Sequence, residues 1–119
     1  MNSALGDYLR QRRCEMQLRE PGRFSLRQVA LRVGVEPSYL SKIERGFEPR
    51  PSEETTRALA DELGEDADVL LAMAGKVSSD LQDIIRKRPR LFSQLIRELK
   101  NLPDRAVLRL VREVRDGNW

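Results

Sequence analysis

The sequence predicts an all-α protein, with five helices in front and a helical extension behind. Three observations carry this. No segment alternates apolar and polar residues long enough for a strand. Helix punctuation recurs, with Ser25, Ser52 and Asp66 ahead of apolar runs and Gly34, Gly46, Gly64 and Gly75 behind them. Between these marks the apolar residues return every three or four positions, the spacing of one buried helix face.

Asn2 or Ser3 is placed to cap a first helix whose stripe is Leu5, Leu9 and either Cys14 or Met16. Arg19-Glu20-Pro21-Gly22-Arg23 breaks it. Ser25, three residues before Gln28, has capping-box spacing and opens a second helix with Leu26, Val29, Ala30 and Val33. Gly34 ends that helix. Pro37 suits the first position of a third, which carries Leu40 and Ile43 as far as Gly46. Phe47-Glu48-Pro49-Arg50-Pro51 reads as a loop, because each proline biases its predecessor away from helix. Ser52 caps a fourth helix with Leu59, Ala60 and Leu63 inward, closed by Gly64. Asp66 begins a fifth, with Val69, Leu70 and Met73 inward, closed by Gly75.

Beyond Lys76 the character changes. Ser78 or Ser79 starts a short helix with Leu81, Ile84 and Ile85, stopped by Pro89. A second carries Leu91, Phe92, Leu95, Ile96 and Leu99, up to Asn101-Leu102-Pro103. A third runs from Asp104 with Val107, Leu110, Val111 and Val114 and ends near Gly117. Three amphipathic helices in 44 residues carry more apolar stripe than so short a segment can hide by itself. The expected domains are therefore 1–75 and 76–119, the second packed on the first or on another copy. Dimerisation through Leu95, Leu99, Val107, Leu110, Val111 and Val114 is the preferred expectation, and an elongated core the alternative. Trp119 is either a frayed end or a plug for a partner subunit.

Composition narrows the function. The 119 residues are 39% hydrophobic and 34% charged, too apolar for a disordered tail. No apolar run approaches the roughly 20 residues of a membrane span. Met1 to Asp7 lack the basic flank and apolar stretch of a signal peptide, so a cytoplasmic protein is expected, away from the membrane. There is no histidine, which removes imidazole acid–base chemistry and histidine ligands. The single cysteine, Cys14, makes neither an internal disulfide nor a cysteine-rich zinc site. Without a Gly-rich phosphate loop or a nucleophile motif, the expectation is a non-enzyme with no catalytic residues, no metal and no cofactor.

The net charge of +3 says little, but its distribution says more. Residues 1–50 hold 10 Lys and Arg against 6 Asp and Glu, residues 51–75 hold 1 against 7, and residues 76–119 hold 11 against 6. A basic front followed by an acidic block points to one cationic face. Lys87, Arg88 and Arg90 around Pro89 form a further cluster, either a second phosphate patch or a solvated loop.

The window from Leu26 to Arg45 carries the function. Ala30, Gly34 four residues on, then Leu40 and Ile43, have helix-turn-helix spacing. Ala30 is small where two helices cross closely. Gly34 supplies the left-handed conformation of the tight turn. Val29, Val33, Val35, Leu40 and Ile43 form the inward face that locks the pair.

Here the sequence resembles the lambda-repressor-like, or Xre, family of DNA-binding regulators. The carrying residues are Leu5 to Arg13, Ser25 to Ala30, Gly34 to Gly46, Pro51-Ser52 and Leu59 to Gly64, so the likeness covers about residues 3–75. The stretch from Arg13 to Ser25 is longer than usual for the family, and either extends helix 1 or forms a wing-like loop with Arg19 and Arg23 near DNA. The resemblance implies double-stranded DNA as partner, with the helix from about Glu36 to Arg45 in the major groove. It implies base contacts from Pro37, Ser38, Tyr39, Ser41 and Lys42, with a surface-packed Tyr39 ring as the alternative. Glu36 favours capping. Phosphate contacts fall to Arg10, Arg27, Gln28, Arg45 and Arg50. It implies too that Arg13 and Glu44 form a structural ion pair. The function implied is a homodimeric transcriptional regulator, a repressor. The alternative is an antitoxin whose C-terminal helices hold a toxin. Some small regulators of this appearance are inactivated by a metallopeptidase that cuts the tail, which makes such an enzyme a further candidate partner.

Overall fold

The structure, a computed structural model, describes residues 4–47 and 51–119. Among the described residues there are eight helices and no strand. They fall into two compact units that divide between Ser78 and Ser79.

The first unit holds α1 (Ala4–Arg19), α2 (Leu26–Val33), α3 (Pro37–Glu44), α4 (Glu53–Leu63) and α5 (Ala67–Met73). Their caps follow the sequence. The Ser25 hydroxyl accepts from the Gln28 N–H at 3.2 Å and the Ser52 hydroxyl from the Thr55 N–H at 3.1 Å, each cap stabilising its helix by about 1 kcal/mol. Gly34 has φ 88°, and a Cβ there would meet nothing within 4 Å. The backbone angle alone therefore demands glycine at this turn. The Asn2 or Ser3 cap and most of the loop at 48–50 lie outside the described residues.

α1 packs on α3, α4 and α5, α2 packs on α3 and α4, and α4 packs on α5. Leu5 and Leu9 of α1 meet Val29 and Ala30 of α2, Leu40 and Ile43 of α3, and Leu59, Ala60 and Leu63 of α4 in one core. Met16, not Cys14, completes the α1 stripe, and Cys14 is exposed. In α5, Leu70 is buried and Met73 packs against the core as expected, and one position differs. Val69 is 46% exposed, whereas Leu70 and Leu71 are buried, Leu70 in the common core.

The long connector resolves into helix. α1 continues to Arg19, and a turn over 20–24 delivers Phe24 into the core at 3% exposure. The Phe24 N–H donates to Gln17 Oε1 at 3.0 Å, and its carbonyl accepts from Arg13 Nη1 at 3.2 Å. Arg23 and Arg32 lie over the ring at 5.8 and 5.3 Å, and Arg32 Nε reaches Glu62 of α4 at 2.6 Å. Of the two alternatives for this stretch, the extended helix 1 is the one observed, and Arg23, still exposed, lies over the ring and near Glu20.

The second unit holds α6 (Ser79–Lys87), α7 (Pro89–Leu99) and α8 (Asp104–Asp116). Pro89 both stops α6 and opens α7 as its first residue, where its missing N–H costs no hydrogen bond. No residue of these three helices is buried. No helix among the described residues is long and apolar enough to cross a membrane.

Candidate nucleic-acid interface

The geometry of α3 follows from its turn of roughly 100° per residue. Leu40, Ile43 and Glu44 are buried against the domain. Ser38, Ser41, Lys42 and Arg45 recur at i, i+3, i+4 and i+7 and therefore form the opposite stripe. Ser38, Lys42 and Arg45 are exposed and Ser41 half-buried. Tyr39 sits at the edge, half-buried, with its ring packed against the core. Arg45, expected at a phosphate, lies by helix period in line with the base-facing candidates.

Glu36 occupies the N-cap position of α3, but its side chain makes no capping hydrogen bond. This corrects the expected capping role. Its charge still lies at the positive end of the helix. Pro37 follows at the first helical position.

Arg27, Gln28 and Pro37 meet at a cleft of about 350 Å³ between the starts of α2 and α3, with Leu31, Val35 and Glu36 as its other walls. Arg27 and Gln28 are exposed there. Arg10 lies on the edge of α1 that Gly6, Arg13 and Gln17 share at four-, three- and four-residue steps, the edge from which Arg13 reaches Glu44 of α3. Arg50 lies outside the described residues.

Ion pairing separates the cations into two groups. Arg12 reaches Glu65 at 3.0 Å and the Leu63 carbonyl at 3.2 Å, tying α1 to the end of α4. Arg13 pairs with Glu44, Arg32 with Glu62 and Arg57 with Glu53. Among the described residues, Arg10, Arg27, Lys42 and Arg45 have no carboxylate within ion-pair distance. The paired arginines tie the domain together, whereas the four without a described carboxylate leave uncompensated positive charge on the surface. Phe47 is the feature that sequence reasoning missed here. It is 63% exposed, with the Arg45 guanidinium 5.2 Å from its ring centre. An Arg-x-Phe spacing straddling a helix-ending glycine was its only trace in the sequence.

In the second unit, Leu95 and Leu99 of α7 and Val107, Leu110, Val111 and Val114 of α8 line one apolar groove of about 500 Å³, with Arg115 at its side. The structure brings together all six residues expected at an interface. Trp119 is 90% exposed, its indole N–H donating to the Val114 carbonyl at 2.9 Å.

Two short helices locked by a left-handed glycine turn, the second presenting a polar and cationic stripe, define a DNA-binding helix-turn-helix protein. The helix-turn-helix domain family model matches residues 4–73, more than half of the chain, and the chain belongs to that family. No curated protein and no solved structure matches it.

Proposed function

We propose that this is a cytoplasmic transcriptional regulator of the lambda-repressor-like type, a repressor that occupies a short operator as a homodimer and performs no chemistry. The observation that carries the reading is the α3 stripe. Ser38, Ser41 and Lys42 offer hydroxyls and an ammonium to base edges, with Pro37 and the Tyr39 phenol at the flank. Arg27, Gln28, Arg10, Arg45 and Arg50 serve as phosphate anchors, which set register without reading sequence. That Arg10, Arg27 and Arg45 have no carboxylate partner among the described residues supports the assignment.

Residues 1–75 form the DNA-binding part in this reading, and residues 76–119 join two copies. A two-fold protein matches two half-sites one helical turn apart. The apolar groove between α7 and α8 supports that role. The same groove favours one second reading, an antitoxin whose tail is covered by a toxin.

The test is binding of the purified chain to DNA from upstream of its own gene, against scrambled DNA, at several salt concentrations. A preference of roughly a thousandfold with a log–log salt slope of about −5 to −10 is the expected result. Absence of binding even at low salt overturns the reading. A tail that proteases cut in the isolated chain, yet spare beside a neighbouring gene's product, favours the antitoxin.

A further inference from the structure

We propose that Phe47 is a positioning residue of the interface: its ring holds the Arg45 guanidinium at the end of the α3 stripe, aimed at a backbone phosphate. This rests on the DNA-binding reading above. Backbone hydrogen bonds place Phe47 beside the last turn of α3. The Phe47 N–H donates to the Lys42 carbonyl at 2.8 Å, and the Gly46 N–H to the Ile43 carbonyl at 3.1 Å, with Gly46 left-handed at φ 83°. These bonds fold the chain back over the last turn of α3 and bring the ring beneath Arg45.

Arg45 is thereby held on two sides. Its Nε donates to the Ser41 carbonyl at 3.4 Å, and its face lies on the ring. A guanidinium has five N–H donors, so the terminal nitrogens remain for an anion. An arginine free to rotate loses rotamer entropy when it grips a ligand, and one already stacked loses less.

The contrast with Phe24 gives the stack its meaning. That ring is buried, and Arg32 above it is neutralised by Glu62, so the arrangement serves the scaffold. Around Phe47 the ring is exposed, and no described carboxylate pairs with the arginine. Phosphate is the target because Arg45 stands at the C-terminal end of α3, whereas base edges are reached from its N-terminal residues.

The experiment titrates the full chain and its variants against upstream and scrambled duplexes at several salt concentrations. Phe47→Ala is expected to weaken binding to both duplexes alike, about two- to fivefold, the range of an exposed cation–π contact. Phe47→Tyr retains wild-type affinity, and Phe47→Leu behaves as the alanine variant. On an Arg45→Ala background, Phe47→Ala adds nothing, and melting temperatures stay unchanged because the ring is exposed. Wild-type affinity in Phe47→Ala overturns the proposal. So does a loss that persists in full without Arg45, which would mean that the ring touches DNA itself. Failure of the unmodified chain to bind either duplex overturns the functional reading on which it rests, and needs no variant to detect.

Discussion

Arg13 of α1 and Glu44 of the last turn of α3 form a two-pronged ion pair, Nε to Oε2 at 2.7 Å and Nη2 to Oε1 at 2.9 Å. Both side chains are largely withdrawn from solvent, and Glu44 holds the Arg13 guanidinium above its ordinary range by accepting its hydrogen bonds. The pair ties α1 to the last turn of the candidate recognition helix.

Removing one partner leaves the other charge buried without a counter-charge. Glu44→Ala is therefore expected to destabilise the domain by about 3–5 kcal/mol, measured by urea denaturation. Exchanging both for apolar residues, Arg13→Met with Glu44→Leu, should recover much of that loss. It does not restore the bond from Arg13 to the Phe24 carbonyl. If the double variant is no more stable than Glu44→Ala, the loss arises from packing and not from the stranded charge.

The two proposed kinds of DNA contact separate by salt and sequence. Arg27→Ala should weaken binding to all duplexes alike and reduce the log–log salt slope by about 1 per copy, about 2 for the homodimer. Lys42→Ala should instead narrow the gap between operator and scrambled DNA by about 1–3 kcal/mol. Both residues are exposed, so neither change should move the melting temperature. Equal effects of Lys42→Ala on both duplexes would reassign it to phosphate.

Much of this was legible in the sequence because local rules and tertiary packing agree. Ser25, Gly34, Pro37, Ser52 and Gly64 each mark a helix end through backbone chemistry that needs no long-range partner. The groove residues were legible for a similar reason, since 3.6-residue periodicity places them on single faces. Where several geometries satisfied the local rules, the reading stopped. The Arg13–Ser25 stretch is decided by Phe24, whose ring enters a core built from residues far along the chain. Val69 and Leu71 flank Leu70 symmetrically in sequence, and only tertiary packing chooses between them. The Arg45–Phe47 stack depends on how Gly46 folds the chain back, which composition and period do not encode.

Tyr8 gives a pH dependence of definite sign. The Glu65 carboxylate, which lines a cleft with it, holds the phenol above its ordinary range. A group raised in the folded state contributes stability that is present below its unfolded value, near 10, and lost as pH rises through the folded one. Melting temperature should therefore fall on the alkaline side, beyond about pH 10, and Tyr8→Phe should flatten that limb. An unchanged alkaline limb in the variant would assign the fall to other groups.

The α7–α8 groove bears on assembly most directly. Val111 is 53% exposed within it, and Leu95 52%, so neither contributes much to holding a single chain together. Val111→Asp should leave helix content and the melting of residues 4–73 intact while placing an unpaired charge on any covered groove. In the homodimer reading, sedimentation then reports a dimer converted to a monomer. Operator affinity falls with it, because two half-sites bound by separate chains lose the advantage of linkage. A chain that is monomeric before the substitution would remove dimerisation from the proposal and transfer the groove to a protein of another kind.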